Sequence, residues 1–164
     1  SSKVLGNMLG QTDILEYFKN KGYDVMHITS KFGAIINGVK VGREEFFNTL
    51  QSWGADDARK FVIFHYSILS EGINVPGLTH TILLRNLPII EMAQTIGRVI
   101  RVHKDDRAAV AAGKIPAGAF HLYKKSEGVV TMPTGYKMGN AIAQRLQNVV
   151  NAIFIEGRPP MAFC

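Results

Sequence analysis

The sequence predicts an α/β fold in which helices flank a parallel β-sheet. The first 28 residues read as a β-like segment, a helix and a second buried strand, an order that makes the two strands parallel through a crossover. Phe61–Phe64 is a short continuous apolar run, typical of a central parallel strand. Thr79–Arg85 is a further β-like run, and a helical pattern follows it at once.

Length and composition favour one globular domain spanning residues 1–164. With 46% hydrophobic and 20% charged residues, the composition excludes a disordered chain. A net charge of +6 suits a phosphate-rich partner without identifying one. No apolar run approaches the roughly 20 residues that cross a bilayer, so we expect no membrane partner. The single cysteine, Cys164, cannot form an internal disulfide or a metal cluster. We therefore expect a cytoplasmic protein without a metal site of its own.

The N-terminal third predicts the first crossover. Lys3–Leu5 is β-like and opens abruptly, as if the chain were cut at a domain boundary. Gly10–Asp13 offers a turn and a cap ahead of a helix whose apolar positions are Ile14, Leu15 and Phe18. Tyr23–Ile28 reads as the second buried strand.

Residues 33–42 read as an inserted hairpin, because Asn37-Gly38 separates two short apolar runs. Arg43–Trp53 is predicted to be a helix that turns Phe46, Phe47 and Leu50 inward. The pair Asp56-Asp57 then reads as a solvated turn.

His65–Pro76 is predicted to be the loop at the carboxyl end of the Phe61–Phe64 strand, where open α/β sheets place ligands. His65 itself is better explained as a packing residue. Val102–Arg107 adds a basic stretch, and a loop with Gly113 and Pro116 follows it, most simply as solvated surface. Ala119–Lys124 predicts a strand, and Ser126–Gly139 a connection. Residues 140–154 predict a last helix with a core-facing apolar stripe.

The helix predicted at Pro88–Arg101 has two different faces. One is an apolar stripe of Ile89, Ala93, Ile96 and Ile100, and the other carries Gln94, Gly97, Arg98 and Arg101. Two arginines at this spacing repel by a few tenths of a kcal/mol, and a glycine inside a helix costs roughly 1 kcal/mol relative to alanine. The helix either presents two guanidiniums to an anion or is a solvated basic face that frays at Gly97.

The loop and the helix together resemble motifs V and VI of superfamily-2 helicases and translocases, in the second RecA-like domain. Motif V reads (S/T)xGxDxP, and the matching residues here are Ser70, Gly72 and Pro76. Motif VI reads QxxGRxxR, and all its fixed positions match: Gln94, Gly97, Arg98 and Arg101. The chain departs from motif V at Asn74, where the family has an aspartate. Tyr66–Gly72 is similar to helicases of large tailed phages.

The resemblance implies a RecA-like second helicase domain of the P-loop NTPase type, the C-terminal half of an ATP-dependent DNA or RNA helicase or translocase. ATP would lie between this domain and an N-terminal RecA-like domain of the same protein, which would also hold Mg²⁺. The ATP-binding residues would be Gly72, Asn74, Gln94, Arg98 and Arg101. Of these, Arg98 and Arg101 would act as catalytic arginine fingers, and Gln94 would sense the γ-phosphate or orient water.

The resemblance also implies a nucleic-acid track, with DNA favoured over RNA. Its positions in this chain would be Gln11, Thr12, Thr29, Ser30, Lys31, Tyr66 and Ser67. Helix capping and turn formation explain the residues between positions 11 and 31 equally well when each is taken singly.

Two features of an NTP site do not occur in the sequence. There is no GxxxxGK(S/T), and no acidic pair ends an apolar strand. We therefore expect the isolated chain to lack ATPase activity, and the parent protein, in a bacterial or phage-infected cell, to be an ATP hydrolase. The alternative is a non-enzymatic module, derived from a helicase domain, that binds nucleic acid or a protein partner.

Overall fold

The computed structural model describes residues 2–66, 75–133 and 139–153. The chain is mixed α/β and divides between Val75 and Pro76 into two compact units, which are described separately below. Among the described residues, no helix combines the length and the apolar character that crossing a bilayer requires.

Unit 1 begins with two helices, α1 (Ser2–Gln11) and α2 (Ile14–Asn20). The strand predicted at Lys3–Leu5 is therefore wrong. Leu5 continues at helical spacing into Met8 and Leu9, and this face packs in a cluster with Val25 and Phe64. Packing of an amphipathic face outweighed the local β preference of three residues.

A four-stranded sheet follows, in the order β3-β2-β1-β4. Its strands are β1 (Asp24–Thr29), β2 (Gly33–Ile36), β3 (Val39–Val41) and β4 (Phe61–His65). β1 pairs in parallel with β4 and antiparallel with β2, which pairs antiparallel with β3. This sheet is thus mixed, whereas the sequence predicted a parallel sheet.

The predicted hairpin and both neighbouring elements are confirmed. Asn37 and Gly38, with φ of 49° and 86°, form the two-residue turn between β2 and β3. The next helix, α3 (Arg43–Ala55), packs on β2 and buries Phe46 and Leu50 completely. The side chains of β1 alternate between the two faces of the sheet, so α1, α2 and α3 can cover it from both sides.

Unit 2 contains a two-stranded parallel sheet of β5 (His80–Ile82) and β6 (Val129–Thr131). β6 lies inside the stretch predicted to be a connection. Two helices of this unit pack on each other, α4 (Ile89–Val99) and α6 (Gly139–Ile153), and α6 confirms the predicted last helix.

The segment between α4 and β6 differs most from prediction. The basic stretch after Arg101 includes a helix that was not predicted, α5 (Lys104–Ala111). The predicted loop with Gly113 and Pro116 follows this helix. The strand predicted at Ala119–Lys124 is wrong, because Phe120–Leu122 forms a 3₁₀ turn. No strand within the described ranges pairs with this segment, and alternation over six residues does not by itself make a strand.

The core of unit 2 is built on α4. The buried residues of this core are Leu83, Leu87, Met92, Ile96, Ile142 and Val149. Ile96 is part of the predicted apolar stripe, and Ala93 and Ile100 pack against the core. The prediction was wrong for Ile89, which is 54% exposed in the first turn of α4. The helix ends at Val99, so Arg101 follows the helix by two residues.

Candidate functional site

Polar contacts anchor the N-terminal end of α4, the helix that carries the motif VI residues. Pro88 caps the helix with an extended ψ of 151°. The Arg85 guanidinium donates to the Glu91 carboxylate at 2.8 Å and so joins the segment between β5 and α4 to the first turn of α4. Arg145 of α6 donates to the Asn86 side chain at 2.8 Å and to the Leu87 carbonyl at 3.0 Å. The segment that leads into α4 is thereby fixed both to the helix and to α6.

The side of α4 away from the core carries the predicted site. Gln94 is exposed, and Arg98 and Arg101 are half-buried. Gly97 lies between them. In the described part of the chain, no heavy atom lies within 4 Å of a Cβ built on Gly97, apart from the helix's own backbone and the adjoining residues. Internal packing of the described residues therefore does not require a glycine here, and these residues leave the space above it open.

The two guanidiniums influence each other electrostatically. Desolvation by partial burial lowers the pKa of Arg98, and the charge of Arg101 lowers it further. An arginine remains protonated at neutral pH even so. The site is therefore a pair of neighbouring positive charges, one of them partly withdrawn from water. An anion that binds between them would relieve their repulsion, and phosphate oxygens match the donor geometry of a guanidinium.

The predicted motif V residues Ser70, Gly72 and Asn74 lie outside the described residues, as does Ser67 of the predicted nucleic-acid track. Tyr66 is the last described residue before them and is 38% exposed. The pairing of Gln94 and the two arginines with a motif V loop therefore stays a prediction.

The other predicted nucleic-acid residues lie in unit 1. Ile28 of β1 pairs with His65 of β4, so the Thr29–Lys31 turn and Tyr66 leave the sheet at the same edge. Ser30 and Lys31 are exposed, whereas Thr29 is buried and its hydroxyl accepts the Phe32 N–H at 3.0 Å. The hydroxyl of Thr29 thus contributes to the turn, as its alternative interpretation expects.

Gln11 and Thr12 lie at the junction of α1 and α2 and are exposed. The Thr12 hydroxyl donates to the Met8 carbonyl near the end of α1 and accepts the Ile14 N–H at 3.4 Å. Thr12 therefore connects two helix ends, a role consistent with the capping alternative.

Sequence reasoning missed two polar residues that act at the C-terminal end of α4. Asp106 is 4% exposed, and its carboxylate accepts the backbone N–H groups of Lys124 and Lys125 at 2.8 and 3.1 Å. The Lys125 ammonium donates to the carbonyls of Val99 and Arg101. Neither residue belongs to a motif, and no spacing in the sequence distinguishes this lysine from its neighbour. The acidic first turn of α5 was the one available signal for Asp106.

The structure thus brings Gln94, Arg98 and Arg101 to one side of unit 2, and Thr29–Lys31 and Tyr66 to one sheet edge of unit 1. The chain matches no protein-family model, no curated protein and no solved structure.

Proposed function

We propose that the chain is the C-terminal, RecA-like half of an ATP-dependent nucleic-acid helicase or translocase. In this proposal an N-terminal RecA-like domain of the same protein holds ATP and Mg²⁺. The chain supplies Gln94, Arg98 and Arg101 from motif VI, and Gly72 and Asn74 from motif V, to the opposite wall of the ATP site.

The observation that carries the proposal is the arrangement around Gly97. Two neighbouring guanidiniums and one amide side chain flank a helix position above which the described residues leave open space. The sequence keeps this glycine although it reduces the intrinsic stability of a helix, and it keeps two like charges that repel each other. A triphosphate approaching α4 would use the space and neutralise the charges. The parallel pairing of β1 with β4 and of β5 with β6 supports the RecA-like part of the proposal.

The chemistry asked of the chain is electrostatic. Negative charge on the transferring γ-phosphoryl group is stabilised by the Arg98 and Arg101 guanidiniums, an effect of about 10³–10⁵ in rate where arginine fingers act. Gln94 can orient the attacking water through its amide. Closure of the two domains on ATP, and their opening after hydrolysis, would move the protein along a strand.

The test measures ATP hydrolysis by the chain alone and by the chain joined to its natural upstream sequence, with and without single-stranded DNA or RNA. We expect turnover only in the longer protein. Arg98→Ala and Arg101→Ala should each abolish measurable turnover while nucleic-acid binding changes little. Arg107→Ala, at an exposed position of α5 in the same unit, is the matched loss of one positive charge and should hydrolyse ATP normally.

Two results would contradict the proposal. Turnover by the isolated chain would show that it does not supply only half of a site. Salt-sensitive nucleic-acid binding that ignores ATP analogues in the longer protein, together with no hydrolysis, would instead identify the non-enzymatic binding module.

A further inference from the structure

The Lys125 side chain binds three backbone carbonyls at the end of α4. Its ammonium donates to Leu78 at 2.6 Å, to Arg101 at 2.9 Å and to Val99. An ammonium has three donors, and these three acceptors use all of them. The carbonyls come from two segments: Leu78 lies just before β5, and the other two lie in the last turn of α4 and directly after it.

The Val99 carbonyl is one of the terminal helix carbonyls that have no partner within the helix. The C-terminal end of a helix carries a partial negative charge, which favours a cation there. Burial lowers the pKa of Lys125 to about 8, so the side chain is still an ammonium at neutral pH. The positive charge of Lys125 is therefore partly buried, and its hydrogen-bond acceptors are backbone carbonyls.

A second feature brings the same loop against the same carbonyl. A Cβ added to Gly128 would lie 2.5 Å from the Val99 oxygen and 2.9 Å from the Val99 carbonyl carbon. Backbone atoms cannot yield as a flexible side chain does, so this loop approaches the end of α4 more closely than any other residue type allows.

The backbone of the loop is fixed from the other side. The buried Asp106 carboxylate accepts the N–H groups of Lys124 and Lys125. Asp106 lies in the first turn of α5, which His103 caps by accepting the Asp105 N–H at 3.2 Å. The Lys125 ammonium thus binds the Arg101 carbonyl. The backbone of Lys125 is in turn bound by Asp106 of α5, the helix that begins three residues after Arg101.

We propose that Lys125 is a positioning residue for the arginine pair. By binding the carbonyls of Val99 and Arg101, it sets the path of the backbone out of α4 and hence the placement of Arg101 relative to Arg98. Through Leu78 it joins this path to the segment that precedes β5. This inference rests on the proposed function, and in it Lys125 acts through the backbone carbonyls it binds rather than by contact with nucleotide or nucleic acid.

The test compares Lys125→Met with Lys125→Arg in the chain joined to its natural upstream sequence. Methionine keeps the apolar stem and removes all three donors. We expect kcat for ATP hydrolysis to fall 10- to 100-fold, with a change of less than about threefold in the KM for ATP. Arginine keeps a cation with several donors and should restore at least a third of the wild-type kcat.

Lys124→Met is the matched control. Lys124 is the neighbouring residue, and its ammonium pairs with the exposed Asp105 carboxylate at 3.1 Å. Loss of such a surface pair has little effect on stability, and kcat should stay within twofold of wild type.

A double-mutant cycle separates positioning from general loss of structure. The background is Arg101→Lys, which keeps a cation but loses the forked donors of the guanidinium. If Lys125 acts through the pair, Lys125→Met should lower the turnover of the Arg101→Lys protein by less than threefold. An additive loss in that background would overturn the inference. If Lys125→Met does not fold, Lys125→Gln, which keeps two donors, should show an intermediate loss of 3- to 10-fold, and wild-type kcat in it would equally overturn the inference.

The outcomes also separate this inference from the proposed function. Arginine variants without turnover, together with a fully active Lys125→Met, would remove the positioning role alone. Arginine variants with wild-type turnover would remove the proposed function and, with it, the role assigned to Lys125.

Discussion

Gly97→Ala should make the protein more stable and less active. Gly97 lies inside α4, where alanine is favoured over glycine by up to about 1 kcal/mol. In the described residues the new methyl group would meet no atom within 4 Å beyond the helix's own backbone, so nothing offsets this gain. An increase of about 0.5–1 kcal/mol corresponds to a rise of roughly 1–4 °C in Tm for a chain of this size.

The activity should change in the opposite direction. If a phosphate or the facing domain approaches α4 at Gly97, the methyl group takes up the space it needs. We expect kcat for ATP hydrolysis by the longer protein to fall at least tenfold, the size of a misplacement that affects orientation at a reacting centre.

Thermal unfolding followed by circular dichroism and steady-state ATP hydrolysis measure the two effects separately. Gly10→Ala is the matched control, because Gly10 lies at the corresponding place near the end of α1 and also has open space around its Cβ. It should raise Tm without changing kcat. A lower Tm for Gly97→Ala would refute the packing argument, and a higher Tm with unchanged kcat would refute the argument that a ligand approaches there.

Three further predictions concern stability. Met92→Ala should lower the free energy of unfolding by about 2–5 kcal/mol in urea titrations, because Met92 is fully buried in the core of unit 2. Asp106→Asn should cost about 1.5–3 kcal/mol, because an amide can accept only one of the two N–H groups that the carboxylate accepts. Burial lowers the pKa of His27 below 6.5, so the unfolded chain takes up this proton first, and Tm should fall as the pH drops below about 6.5.

Each of these predictions has an internal comparison. Ile90→Ala, at a position that is 70% exposed, should change stability far less than Met92→Ala. Asp105→Asn, in the same turn of α5 but exposed, should cost less than Asp106→Asn. His27→Leu should flatten the decrease of Tm between about pH 5 and 6.5, and an unchanged slope in this variant would assign the acid sensitivity to other groups.

Local signals in the sequence were enough for the elements that carry their own turn or their own apolar face. Asn37-Gly38 predicts its hairpin because two successive positive φ angles need these residue types. The helix from Gly139 and the strand from Phe61 likewise follow from spacing and apolar content. The exposed face of α4 was predicted for the same reason, since helical spacing alone puts Gln94 and Arg98 on one side.

Elements defined by their partners could not be predicted. β6 has three residues and exists because β5 pairs with it. The spacing in the sequence placed Ile89 on the buried side of α4, whereas Met92 is buried there and Ile89 is exposed. Both residues are apolar, and which of them is covered depends on the elements that pack against α4. The contacts of Lys125 connect residues 24 to 47 positions apart, and no pattern within a short window encodes them.

Because α6 packs on α4 and is synthesised after it, the core of unit 2 is incomplete while the chain is being translated. Ile142 and Val149 complete the core that buries Met92 and Ile96, yet they are synthesised well after the arginine helix. At a synthesis rate of about 5–20 residues per second, the apolar side of α4 stays exposed for seconds until α6 has been synthesised. During this interval the nascent chain offers a hydrophobic surface to chaperones. A stop codon placed before residue 139 should therefore yield an aggregation-prone product rather than a smaller folded unit.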